Sequence, residues 1–262
     1  MDSYFTWNID PEIISFFFVS FRWYGLFFGL SFVFGMYFMG HIFESEGKNN
    51  EDLDPLLIHI MLGTIIGAKL FHVIFYNPVY YLNHPLSIIK VWEGGLASHG
   101  GGIGIIVGIY FFKRRREGYS FLWITDRLSI PVILGGTLIR TGNFFNSEIV
   151  GHPSNYPWSV IFSRIDNIPR HPSQLYESLL YLTIFLLLFF LYRKTTMKNL
   201  NGVFTGIFLT LVFTGRFFLE FLKMKQESYD TFIALNTGQL LSLPFIIVGI
   251  ILILKGQKEV KQ

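Results

Sequence analysis

Residues Pro172–Tyr192 read PSQLYESLLYLTIFLLLFFLY, and Arg193-Lys194 follow directly. From Leu179 to Tyr192 every residue except Thr183 is apolar or aromatic. A strand of a membrane barrel alternates apolar and polar residues over about ten positions, whereas a helix crossing about 30 Å of hydrocarbon needs roughly 20 residues of this unbroken kind. The run therefore predicts a spanning helix that begins in a polar turn, His171 to Glu177, and ends in a basic one. Six further runs share this character: Phe16 to Phe43, Pro55 to Tyr76, Ser98 to Phe112, Phe121 to Phe145, Gly202 to Leu222 and Leu235 to Leu254. The Ser98 run is short and can borrow a turn from its flanks. Because hydrocarbon offers the backbone no hydrogen-bond partner, such runs must satisfy their own N–H and C=O groups as helices. The expected fold is an all-α integral membrane protein, a bundle of about seven transmembrane helices.

Composition agrees. The chain has 262 residues, 51% hydrophobic, 18% aromatic and only 15% charged, with a mean hydropathy of +0.45, which is too apolar for an ordinary soluble domain. A pI near 9.0 and a net charge of +3 are by themselves compatible with nucleic-acid binding. The basic residues, however, lie in short groups beside apolar runs, where they set orientation, so no nucleic-acid partner is expected. The absence of cysteine excludes disulfides, thiol nucleophiles and thiolate metal sites within the chain. Any thiol chemistry must use a substrate's sulfur. The first run follows polar and acidic residues without a basic leader and is read as a retained helix. Nothing divides the chain, which is read as a single polytopic transmembrane domain over residues 1–262.

Lys113-Arg114-Arg115-Arg116 follow the third run, Arg193-Lys194 and Lys198 the fifth, and Lys255, Lys258 and Lys261 the seventh. With seven spans these three ends share one side, and the positive-inside rule assigns it to the cytoplasm. The N-terminus is then outside and the C-terminus cytoplasmic. On this threading His99-Gly100-Gly101-Gly102, Arg140 to Glu148, His171 to Glu177, and Arg216 with Glu220 all come to the external edge of the membrane. Four polar clusters at one edge read as one site. Gly100, Gly102 and Gly104 have no preceding strand, and Gly63 to Lys69 lacks the Walker spacing, so neither stretch indicates a nucleotide. Most of the 25 glycines read as close helix packing through small residues.

An arginine at the centre of a span costs roughly 2.5–3.5 kcal/mol on insertion scales and so faces a partner, a cavity or an interface. Arg140 and Arg216 fit anion binding, since a guanidinium fork matches a phosphate. Arg216 equally fits an ion pair with Glu220 at i,i+4 spacing, and one pair can serve structure and chemistry together. Asn143 shares a helix face with Arg140, and Asn146 and Glu148 follow; their polar groups can hold a ligand or cap the helix end. His99 can act as a general base or as a hydrogen-bonding anchor. Gln174, Tyr176 and Glu177 read as supporting residues at a helix start. Tyr24, about two turns inside the first run, can face a polar cavity or belong to an aromatic belt.

These residues resemble a known family. Trp23-Tyr24-Gly25, Trp92-Glu93-Gly94-Gly95 leading to His99-Gly100-Gly101, Arg140-Thr141-Gly142-Asn143-Phe144-Phe145-Asn146-Ser147-Glu148 with Gly151, His171-Pro172-Ser173-Gln174-Leu175-Tyr176-Glu177, Arg216 with Glu220, and Gly238-Gln239 are similar, in order, to bacterial phosphatidylglycerol:prolipoprotein diacylglyceryl transferase. The resemblance implies transfer of the diacylglyceryl group of phosphatidylglycerol to the thiol of a lipobox cysteine in a prolipoprotein signal peptide, releasing glycerol 1-phosphate. It also implies the bacterial cell (inner) membrane, with the site facing outward. By resemblance Arg140 binds the headgroup, Asn143, Asn146, Glu148 and Gly151 shape the same signature, and His99, Tyr24, Arg216 and Glu220 are the positions important for activity. The chain departs from the commonest pattern at Ile139, Gly102, Val212 and Lys223, and no role is carried over to the last two.

No metal or organic cofactor is called for. His99, His171 and Glu177 lack a recognisable ligand spacing on one helix for zinc. A transporter or flippase for an anionic lipid is the rival class. It would call for internal repeats and a midplane site, and neither is visible in the sequence.

Overall fold

The structure, a computed structural model, describes residues 4–16, 19–91, 94–224 and 235–258. It is mostly helical. Short strands β1 (Phe5–Trp7), β2 (Glu12–Phe16) and β3 (Val19–Arg22) precede helices α1 (Trp23–Ser45), α2 (Leu53–Phe75), α3 (Pro78–Asn83), α4 (Ser98–Arg115) and α5 (Phe121–Phe145). Strands β4 (Val160–Phe162) and β5 (Pro169–Arg170) then lead to α6 (Ser173–Lys194), α7 (Val203–Leu219) and α8 (Thr237–Lys258). Among the described residues, six helical segments are long and apolar enough to cross a membrane: those built on α1, α2, α5, α6, α7 and α8. Helix α4, the shortest expected span, is not one of the six; it gains length only by running into Lys113, Arg114 and Arg115.

The first run needs correction. Its apolar residues suggest a helix from Phe16, but Glu12–Phe16 and Val19–Arg22 pair antiparallel, β2 against β3, and the helix begins only at Trp23. Glu12 stands opposite Arg22 and accepts a hydrogen bond from its Nη2 at 3.0 Å, and Trp23 N–H bonds to the Pro11 carbonyl at 3.0 Å. Alternating hairpin residues are as apolar as a span's first turn, so composition does not separate the two. Tyr24 consequently stands at the start of α1 and not two turns inside it.

The chain folds as two compact units, one of residues 1–38 with 125–262 and the other of residues 39–124. In the first, β1 pairs parallel with β4, which pairs antiparallel with β5. Phe144, Val150, Val160 and Phe162 form a buried apolar cluster there, covered by Trp7, Phe145 and Leu175. Helix α6 inverts the pattern of a soluble helix. Its buried residues include Ser173, Gln174, Glu177 and Ser178, while Leu179, Leu186 and Phe190 are exposed. Exposed leucine beside a buried glutamate is stable only where the surrounding solvent is itself apolar. Asp126, buried in α5, accepts from the N–H groups of Gly202 (2.7 Å) and Thr205 (2.8 Å) and from the Thr205 hydroxyl, so it satisfies the orphan donors at the start of α7. Gly206 of α7 and Gly249 of α8 meet closely; a Cβ on either would lie within 2.8 Å of the other's carbonyl oxygen.

The second unit is organised on the α2–α4 seam. Gly63 and Gly67 of α2 face Gly100, Gly104 and Gly108 of α4, and a Cβ added to Gly104 would sit 1.9 Å from the Gly63 carbonyl oxygen. The packing role expected of these glycines is therefore correct, and it depends on the missing side chains. Gly102 meets nothing within 4 Å. Asp52 closes the other end of this unit, accepting from the Tyr119 hydroxyl at 3.0 Å and pairing with Arg116 at 3.2 Å. Burial and that bond to Asp52 push the Tyr119 hydroxyl up to about 12.

Candidate active site

Arg140, near the C-terminal end of α5, is bound on two sides. Its Nε lies 2.9 Å from Oε2 of Glu177, a charge contact without the alignment of a hydrogen bond. Its Nη1 donates to Asn143 Oδ1 at 3.2 Å, as their shared helix face requires. Asn143 then donates to Glu148 Oε2 at 3.0 Å, and Asn146 donates to Glu148 Oε1 at 3.1 Å. One guanidinium, two amides and two carboxylates thus form a continuous polar chain. Tyr24 lies near both Arg140 and Glu148, and Tyr181 lies beside Arg140. The Oδ1 atom of Asn146 is buried and accepts no hydrogen bond.

The turn after α5 holds these groups in an uncommon backbone. Ser147 (φ 56°) and Ile149 (φ 57°) are both left-handed, and a β-branched residue there is a strained exception. Neighbours enforce it. Ser173 Oγ donates to the Ile149 carbonyl at 2.7 Å, Gln174 Nε2 to the Glu148 carbonyl, and Glu148 N–H to the Asn143 carbonyl at 2.9 Å. Gly151 comes next, pressed between two chain segments. Its N–H bonds to the His171 carbonyl at 3.0 Å, and a Cβ would lie 2.6 Å from His171 Cβ and 2.7 Å from the Leu222 carbonyl oxygen. No larger residue fits without moving backbone. The next layer is Arg170, which donates through Nε and Nη2 to Asp166 and lies against the Gly151 carbonyl. The Arg170 fork holds the Asp166 carboxyl below its ordinary value.

The Arg216–Glu220 ion pair that the i,i+4 spacing allows is not formed; Glu220 pairs with Lys223. Helix α7 ends at Leu219, and residues Glu220–Leu222 tighten into a 3-10 turn. A turn of three residues places Glu220 over Lys223, and Lys223 Nζ contacts Glu220 Oε2 at 3.0 Å. The same ammonium contacts Glu177 Oε1 at 2.9 Å. Arg216 lies near Glu177 and Tyr181 instead. Behind Glu220, Gly238 leaves space that a Cβ would fill, since the carboxyl carbon would be only 2.6 Å away. Asn236 and Gln239 exchange hydrogen bonds (3.0 and 2.9 Å) as a reciprocal cap on α8, and Gln239 is almost wholly buried.

His99 belongs to the second unit, one residue into α4, partly buried and with its ring 6.4 Å from that of Phe71. The chain reaching it is fixed to α2. Lys69, buried within that helix, donates to the carbonyls of Lys90 (3.3 Å) and Gly94 (3.0 Å) and to the Tyr81 hydroxyl (3.3 Å). Gly94 and Gly95 take positive φ, and Gly95 lies against the His72 ring. The Ala97 N–H closes the strap on the Ala68 carbonyl at 3.0 Å. Trp92 and Glu93 of the sequence motif lie outside the described residues. Among the described residues, no group of three His, Asp or Glu side chains is placed to hold a metal ion.

Residues 11–255 match the family described as Prolipoprotein diacylglyceryl transferase. The chain belongs to that family. It is 48% identical over 253 residues to the phosphatidylglycerol–prolipoprotein diacylglyceryl transferase of Tolumonas auensis, covering 97% of this chain and 98% of the relative. It is 47% identical over 257 residues to that of Chloroherpeton thalassium (98% and 96% covered) and 39% identical over 274 residues to that of Porphyromonas gingivalis (99% and 97% covered).

For a diacylglyceryl transferase family member, two residues matter more than the sequence suggested. Glu177 reads as a supporting residue at a helix start, yet it joins Arg140 to Lys223. Lys223 reads only as a departure from the family pattern, yet it is 4% exposed and bridges two carboxylates. The available signal was a lysine directly after an apolar run and three residues beyond an acid, which is weak because that spacing is common on exposed helix faces. The partner on α6 is 46 residues away and has no local signature.

Proposed function

We propose that this chain transfers the diacylglyceryl group of phosphatidylglycerol to the thiol of a lipobox cysteine in prolipoproteins and releases glycerol 1-phosphate. Full-length similarity to transferases of that name supports the reaction. The observation that carries the site assignment is Arg140, a partly buried cation held by Glu177 and Asn143 where the family signature begins. The protein acts as one polytopic domain of about seven transmembrane helices in the bacterial cell (inner) membrane, with its N-terminus outside and C-terminus cytoplasmic. The basic ends of the third, fifth and seventh runs support this orientation, and it turns the Arg140 end of α5 outward, where exported precursors arrive.

The reaction is a displacement at the glycerol carbon that bears the phosphate ester. The cysteine sulfur forms the new C–S bond, the C–O bond breaks, and glycerol phosphate leaves with the electron pair. A free thiol has a pKa of about 8.5, so a base or a positive field must supply the thiolate at neutral pH. His99 takes the thiol proton. Arg140 binds the phosphate and, with Arg216, stabilises charge on the leaving group, an effect strengthened in a water-poor site. Asn143, Asn146, Glu148 and Gly151 shape the headgroup site. Tyr24 lines it beside Arg140, and Glu220 orients the cationic cluster through Lys223. Purified protein with phosphatidylglycerol and a lipobox peptide should add a diacylglyceryl mass to the cysteine peptide and none to its Cys→Ser counterpart. Absence of product from a folded, lipid-binding preparation would overturn the assignment.

A further inference from the structure

We infer that Lys223 is a positioning residue that keeps Arg140 available to the phosphate of the substrate. The inference rests on the anion-binding role proposed for Arg140. Glu177 is wholly buried, and each of its carboxylate oxygens faces a different cation: Oε2 meets Arg140 Nε at 2.9 Å and Oε1 meets Lys223 Nζ at 2.9 Å. An arginine left alone with a carboxylate tends to close a two-bond fork, using the same planar edge that a phosphate would need. Lys223 prevents this by occupying the second oxygen. Arg140 therefore contacts Glu177 through one oxygen, and its Nη1 is turned to Asn143 instead.

Charge balance points the same way. Arg140, Arg216 and Lys223 face Glu177 and Glu220, and Glu148 joins the same group through Asn143, so three cations are matched by three carboxylates. Without Lys223 the balance is lost, and an incoming anion meets a cluster with one negative charge in excess. Lys223 is also fixed in place by its backbone. It bridges to Gly151, its N–H bonds to the Glu220 carbonyl at 3.3 Å, and the next residue, Met224, bonds to the Val150 carbonyl at 3.3 Å. The ammonium thus stands on the same strand contact that holds the glycine of the signature turn.

The test measures steady-state lipidation of a lipobox peptide against phosphatidylglycerol concentration in mixed micelles. Lys223→Met should raise KM for phosphatidylglycerol about tenfold, with a smaller change in kcat. Lys223→Arg, which keeps the charge, should restore most of the affinity. Combining Lys223→Met with Glu177→Gln removes the carboxylate that captures Arg140, so the double variant should bind lipid better than Lys223→Met alone. That double variant removes one cation and one carboxylate and so keeps the wild-type charge balance; where Lys223→Met does not fold, its KM is read against the wild type, and a tenfold rise would then overturn the inference. An unchanged KM in Lys223→Met with only a lower melting temperature, equal losses in the Met and Arg variants, or a double variant no better than the single one would each overturn the inference. Arg140→Gln, assayed in parallel, separates the two ideas: if it keeps the normal KM, the anion role of Arg140 fails first.

Discussion

Arg140 and Glu177 meet at 2.9 Å although they stand on different helices, α5 and α6, and Glu177 has no exposed surface. A buried carboxylate left without its cation typically destabilises a protein by about 3–5 kcal/mol. Arg140→Lys keeps a charge there but loses the planar fork and the bond to Asn143. We expect the lysine variant to insert and fold while diacylglyceryl transfer falls at least about a hundredfold, a loss of roughly 2.7 kcal/mol of transition-state binding. Wild-type turnover in the mass assay would contradict the role given to Arg140.

His99→Gln tests the base. It should lower kcat about 100-fold or more, with little effect on the melting temperature. Without a base the thiolate must form unaided, so the variant's rate should climb with pH up to the range of a free thiol, about 8.5. A variant with normal turnover and an unaltered pH profile would leave the positive field as the source of the thiolate.

Gly104→Ala tests the α2–α4 seam. A methyl 1.9 Å from the Gly63 carbonyl oxygen cannot be absorbed by rotation, so the helices must separate. Overpacking of this kind costs about 1–3 kcal/mol. Gly102→Ala, which meets nothing within 4 Å, is its matched control. Thermal unfolding in detergent should show a clear drop for the first and almost none for the second.

Asp166 supplies a pH test. Its carboxyl is held below its ordinary value chiefly by the hydrogen bonds from Arg170. A depressed folded pKa contributes stability that is complete above the unfolded value, about 3.9, and is lost as pH falls through the folded value. Asp166→Asn should therefore lower the melting temperature at pH 7, and the gap should shrink as the pH falls below about 3.9. A constant gap across that range would rule out the linkage.

The long helices were legible because a span leaves an unbroken apolar run, as at Leu179–Tyr192, and no other element does. Arg140 with Asn143 was legible because both lie within one turn of one helix. The hairpin at Glu12–Arg22 was not, since Ile13, Ile14 and Phe21 are as apolar as a helix start. The choice left open between anion binding and a Glu220 pair for Arg216 could not be made from spacing, which assumes a helix, whereas the 3-10 turn at Glu220–Leu222 hands the carboxylate to Lys223. Contacts such as Glu177–Lys223 depend on which helices become neighbours, and nothing local to either residue encodes that.

The alternating charges of Arg140, Glu177, Lys223 and Glu220 have a consequence for assembly. They come from three separate stretches of chain, at the end of α5, the start of α6 and just beyond α7. Each alone in hydrocarbon is costly, by roughly 2.5–3.5 kcal/mol for a central arginine, lysine or aspartate, and only docking brings the partners together. A half-assembled chain would display these residues to lipid or pull them back toward water. The charges are matched only once all three stretches have come together, and Lys223 is the last of the four to follow in chain order.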